Sequence, residues 1–223
     1  MHQHRASRLV FPGLLLFFAA GSHAQNIVPN ATFDTQLSPW TTFLSSAPDP
    51  VGAGAAPVWV SNDIGNSPSS GSGQVDINTS APAGDAASGI AQCVNFPSTL
   101  VTLVNYGISV RVPTTTTTDN SINATVEMRL FSGANCAGFV TGGSQGRNLV
   151  VGLASNTTWY AVGDTGFTPP GGSATAMSAE IRAYLREING VGPTTTAYQA
   201  DFDAARLVLN SSTPVRLQQF DVE

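Results

Sequence analysis

Six side chains with chemical potential fall on alternating positions of three β-prone runs. Arg111 lies in Tyr106–Val112; Glu127 and Arg129 lie in Asn123–Phe131; Glu180, Arg182 and Tyr184 lie in Ser178–Arg186. Successive strand side chains point to opposite faces, so each run has an apolar side. In the second run Ala124, Val126, Met128 and Leu130 form that side, and in the third Ile181, Ala183 and Leu185 do. If the three strands share a sheet, the outward set makes one charged face with an aromatic ring. A flat ring suits the apolar C–H face of a pyranose, and carboxylates and guanidinium groups suit its hydroxyls. Trp59, in a Gly/Ala/Pro-flanked run, is a further ring for such a site. The candidate ligand-binding set is therefore Trp59, Arg111, Glu127, Arg129, Glu180, Arg182 and Tyr184. Glu127 and Glu180 could also act as the two acids of a glycosidase. The plain alternative is a solvated sheet face carrying cross-strand ion pairs of small value.

Composition removes other chemistries. His4, Arg5 and Arg8 precede an apolar run from Leu9 to Ala20, followed by Ser22-His23-Ala24. This predicts a signal peptide over 1–24, cut before Gln25. A run of roughly 12 residues is too short to span a bilayer, which needs about 20, so we expect no membrane insertion. The expected location is outside the cytoplasm, extracellular or periplasmic. All three histidines leave with that segment, the chain has no lysine, and seven arginines then face fourteen carboxylates, a net charge of −7. Histidine triads, histidine-ligated zinc and lysine Schiff bases are thereby excluded from residues 25–223. A negative chain without a basic run is a poor partner for nucleic acid. Two cysteines remain, Cys93 and Cys136. In a secreted chain they read as one disulfide, which also removes a thiol nucleophile. Oligomeric state leaves no mark in the sequence. Asn-x-Ser/Thr occurs at Asn30, Asn78, Asn123, Asn156 and Asn210, a pattern that chance also produces in such a composition.

The elements that must position these residues are short β-prone runs separated by Gly/Pro/Asn/Asp clusters, the pattern of an antiparallel sandwich. Predicted strands are Ile27–Phe33, Val58–Val60, Gln74–Asn78, Ile90–Phe96, Tyr106–Val112, Asn123–Phe131, Arg147–Val151, Thr157–Val162, Ser178–Arg186 and Ala197–Leu209. Loops are predicted between Phe33 and Val58, and over 62–73, 79–89 and 188–196. TTTTTDN, 114–120, reads as a hairpin tip, and TPPGGS, 168–173, as a hard turn. Residues 25–223 form a single domain in this reading, with 210–223 an extra strand or tail.

Four segments carry a resemblance. Asn30-Ala31-Thr32-Phe33-Asp34 with Ser38-Pro39-Trp40 resembles the opening of carbohydrate-binding modules with the galactose-binding-like jelly-roll fold. Ile90 to Cys93 with Tyr106 to Val110 resembles their middle. Thr157-Thr158-Trp159 with Thr168 to Ala174 resembles their "Thr-Trp … Pro-x-Gly-Ala" stretch. Phe202-Asp203-Ala204-Ala205-Arg206-Leu207 resembles their closing strand, with Ala204 where a second Asp is usual. The resemblance implies an all-β, antiparallel jelly-roll sandwich. It also implies a structural calcium ion held by Asp34 and Asp203 where the first and last strands meet, and core positions for Trp40 and Trp159. The functional expectation is non-catalytic binding of an extracellular glycan. The alternatives are a structural or adhesive surface protein without a sugar ligand and, third, a carboxylate-dependent glycan hydrolase.

Overall fold

A computed structural model describes residues 25–45, 56–78, 87–112, 122–150, 158–187 and 197–210. The predicted signal peptide, the 114–120 tip, the 188–196 loop and the tail beyond 210 lie outside these residues. The β-prone runs pair into two antiparallel five-stranded sheets. In chain order the strands are β1 (Thr41–Ser45), β2 (Val58–Val60), β3 (Ser72–Asn78), β4 (Ala87–Val101), β5 (Val104–Arg111), β6 (Ile122–Phe131), β7 (Phe139–Val150), β8 (Tyr160–Phe167), β9 (Ala174–Glu187) and β10 (Ala197–Leu209). The first sheet runs β1-β4-β9-β6-β7 and the second β2-β3-β10-β5-β8. From β4 onward the chain passes repeatedly from one sheet to the other, as in a jelly roll. Among the described residues no helix is long and apolar enough to cross a membrane.

Period-two alternation builds the core. Val126, Met128 and Leu130 of β6, Ile181, Ala183 and Leu185 of β9, Tyr106 and Val110 of β5, and Phe202 and Leu207 of β10 are all fully buried in one cluster. Burial of one face makes register costly to slip. It thereby fixes which residues of β6 and β9 look outward.

The N-terminal stretch departs from expectation. Ile27–Phe33 forms no strand and turns over 29–32, and the first strand is Thr41–Ser45, inside the segment expected as a loop. Yet the stretch does lie along the closing strand. β3 pairs with β10 only as far as Phe202. Beyond it Ala205 N donates to Ala31 O, Asn26 Nδ2 to Ala205 O, Leu207 N to Asn26 Oδ1, and Ile27 N to Leu207 O. An asparagine side chain stands in for one peptide group, so no regular ladder forms. Phe33 and Trp40 are buried and stack at 5.3 Å.

β7 extends well beyond Arg147–Val151, taking in the Thr-Gly-Gly-Ser-Gln-Gly run. Pairing with β6 holds this Gly-rich segment extended, against its low intrinsic strand preference. Trp159 is not a core residue. It is half-buried, with Arg111 over its ring at 5.3 Å.

Candidate functional site

β6 and β9 are neighbours, and their register sets Glu127 opposite Arg182, Arg129 opposite Glu180, and Thr125 opposite Tyr184. Five predicted residues thus share the outer face of the first sheet. Arg182 donates from Nη2 to Glu180 at 2.7 Å and from Nη1 to Glu127 at 3.5 Å. Arg129 lies 3.8 Å from Glu180. These four side chains keep between 18% and 26% of their surface in solvent, so they form an accessible network.

Aromatic rings stand on both sides of it. On β1, Phe43 pairs laterally with Gly89 of β4, which pairs with Tyr184 of β9. A Cβ at Gly89 would collide with the Tyr184 side chain and the Ala183 carbonyl. Glycine therefore lets the Tyr184 ring reach Phe43, with centroids 5.1 Å apart. Arg182 also lies over the Phe43 ring at 4.6 Å. Tyr184, expected as an exposed ring, is outward but only 8% exposed. Burial, helped by the nearby Glu127 carboxylate, pushes its phenol up to about 12. On the other side Arg129 lies 4.6 Å from the Phe139 ring and 5.7 Å from Phe131. Phe139 is 42% exposed.

Arg111 and Trp59 do not join this face, because β5 and β2 belong to the second sheet. Arg111 donates to the fully buried Asp201 at 2.7 Å, which Gln74 also reaches. Trp59 lies at the β2 edge, its Nε1 donating to Phe33 O at 2.7 Å and its ring against Gly71.

Asp34 and Asp203 have separate partners. Asp34 is exposed, accepts from Thr32 Oγ1, and its N–H donates to Asn30 Oδ1. Asp203 is fully buried and accepts from the N–H groups of Ile64 and Ala204. It shares a hydrogen bond with the carboxyl group of Asp63. Calcium takes six to eight oxygens, and among the described residues no group of three or more His, Cys, Asp or Glu is placed to hold a metal ion. Burial pushes Asp203 up to about 7, with Asp63 adding to the rise. For Asp63 burial also acts upward, but hydrogen bonds from Ser67, Ser70 and Asp203 outweigh it and hold the group low.

Cys93 and Cys136 are bonded, with Cα atoms 5.9 Å apart. Sequence reasoning missed Phe43, Gly89, Phe131 and Phe139 as parts of this face. Thr-Thr-Phe-Leu-Ser, 41–45, is a short β-prone run between turn residues that could have marked Phe43. The role of Gly89 depends on a cross-strand neighbour and had no local signal.

No protein-family model and no curated protein matches the chain. Among solved structures it is similar to the carbohydrate-binding module TmCBM61, determined in complex with beta-1,4-galactotriose. The TM-score is 0.45 at 12% identity, over 82% of this chain and 98% of that one.

Proposed function

We propose that this is a secreted, non-catalytic carbohydrate-binding sandwich that takes an extracellular glycan on the outer face of its first sheet. The observation that carries the reading is Arg182, which reaches both Glu127 and Glu180 while covering the Phe43 ring. One accessible plane then offers donors, acceptors and an apolar surface, the combination a sugar ring requires. Both carboxylates are engaged by the same guanidinium. That favours binding over the proton transfer a glycosidase acid must perform. The disulfide agrees with an oxidising compartment.

Retention on insoluble cellulose, xylan, mannan and galactan tests this. Phe43→Ala and Arg182→Gln should each weaken retention about tenfold, as expected for losing a contact of roughly 1.4 kcal/mol. Equal retention by wild type and both variants would remove this face from the site. Retention on none of the polysaccharides would favour a structural or adhesive protein. Turnover abolished by Glu127→Gln would make it a hydrolase.

A further inference from the structure

We infer that the turn joining β6 to β7 is the end-wall of this site, so that the face receives the end of a glycan chain and not an internal stretch. The inference rests on the glycan reading and adds a direction and a stop to it.

Residues 132–138 do not project away from the sheet edge. They fold back over the outer face and cross β9. Cys136 N donates to Ser178 Oγ at 3.0 Å, and Ser178 Oγ donates to Gly133 O at 2.6 Å. Ser178 lies opposite Phe131 and is fully buried by this covering. The turn then reaches β4, two strands from β6. There Cys136 is bonded to Cys93, and Asn135 and Asn95 exchange two hydrogen bonds of 2.7 Å each. Cys93 pairs with Glu180, on the face that holds the ion network.

The wall stands in mid-ladder. β4 and β9 continue pairing beyond it, through Thr99 with Ala176 to Val101 with Ala174. Without the turn, an extended ligand could run on along the strands. With it, the open face ends at Glu180 and Arg129. From Glu180 to Tyr184 is four residues on β9, or about 13 Å at about 3.3 Å per residue, the length of a short oligosaccharide. The terminal sugar would meet Arg129 and the exposed Phe139 ring, and the following sugars would pass over Arg182 and Glu127 toward Phe43. A covalent anchor and four hydrogen bonds to β9 and β4 make this wall rigid, so it sets where the ligand stops.

The test counts chain ends. A polysaccharide that retains the protein, from the cellulose, xylan, mannan and galactan set, is cut by limited acid hydrolysis, and its reducing ends are assayed. Binding capacity per gram should rise in the same ratio as the ends. Capacity that stays constant while ends multiply would overturn the wall and leave glycan binding standing. Retention on none of the polymers would overturn both. In the variant Cys93→Ser/Cys136→Ser/Asn95→Ala, capacity should no longer track the ends, whereas end-tracking that survives in the folded variant would also overturn the wall. If that variant does not fold, the wild-type measurement alone decides.

Discussion

Asn30 organises the turn at the start of the chain. Its Nδ2 donates to Gln36 O and Ser38 O, its Oδ1 accepts from Asp34 N, and its carbonyl accepts from Phe33 N and Trp40 Nε1. It also holds a left-handed φ of 45°, which asparagine tolerates better than most residues. Asn30→Ala removes three side-chain hydrogen bonds and should cost roughly 2–4 kcal/mol, read as a lower urea midpoint at unchanged slope. Asp203 makes a pH prediction. Its folded pKa, about 7, lies above the unfolded value, so the folded state binds the proton more tightly. That stabilisation is complete below about pH 4 and is lost as pH rises through about 7. In chelator, the melting temperature should fall from about pH 5 to about pH 8, and Asp203→Asn should flatten the fall. A wild-type melting temperature that rose over this window would contradict it. A divalent ion between Asp63 and Asp203 would need both carboxylates ionised. In that case calcium would raise the melting temperature at the alkaline end, and only with Asp203 present.

Two elements owe their form to a single local choice. The aromatic pair of Phe43 and Tyr184 exists because Gly89 leaves the lateral row empty between them. Gly89→Val should displace Tyr184, overpack the site by about 1–3 kcal/mol, and weaken polysaccharide retention more than Phe43→Ala does. In β10 an extra residue enters between Asp203 and Arg206, where the register with β5 shifts. Ala204 sits there with φ of 50°. An L-residue in this region costs roughly 1–2 kcal/mol, part of which glycine would return through its greater unfolded entropy. Ala204→Gly should therefore stabilise by up to about 1 kcal/mol, seen as a higher denaturant midpoint. Wherever a β-branched or aromatic run was long and alternating, as in β5, β6, β9 and β10, the strand was legible in sequence. β7 was not, because its Gly-rich half is extended only by the β6 partner.

For the whole molecule, the chain closes by laying residues 26–31 against the half of β10 that β3 leaves unpaired. Asn26 contributes two of these bonds through one side chain, its Nδ2 donating to Ala205 O and its Oδ1 accepting from Leu207 N, and the same Oδ1 accepts from Val28 N within the stretch. Asn26→Ala should lower global stability by roughly 2–3 kcal/mol. It should also speed amide exchange at Ala205 and Leu207 more than at Met128 in the β6 core. Equal acceleration at all three would show that the clasp has no local role. The disulfide closes a separation of 43 residues, and its reduction should cost up to about 3–4 kcal/mol on the chain-entropy account.

The sequence alone determined the side-chain periods. Alternation in β6 and β9 dictated that Glu127, Arg129, Glu180, Arg182 and Tyr184 face away from the core, because one-sided burial leaves a strand no other choice. It also determined the pairing of the two cysteines, since only one pairing exists. What it could not determine was which strands are neighbours. Arg111 has the same outward period as Glu127, yet the topology places it on the opposite sheet. Phe43, far away in sequence, is carried beside Tyr184 through β4. Asp203 is set against Asp63 by a loop packed on β10. Sheet order arises from non-local packing between surfaces that are each only apolar on one side, and many orders satisfy the same alternation. The face of the first sheet, and the turn that closes it, are products of that order.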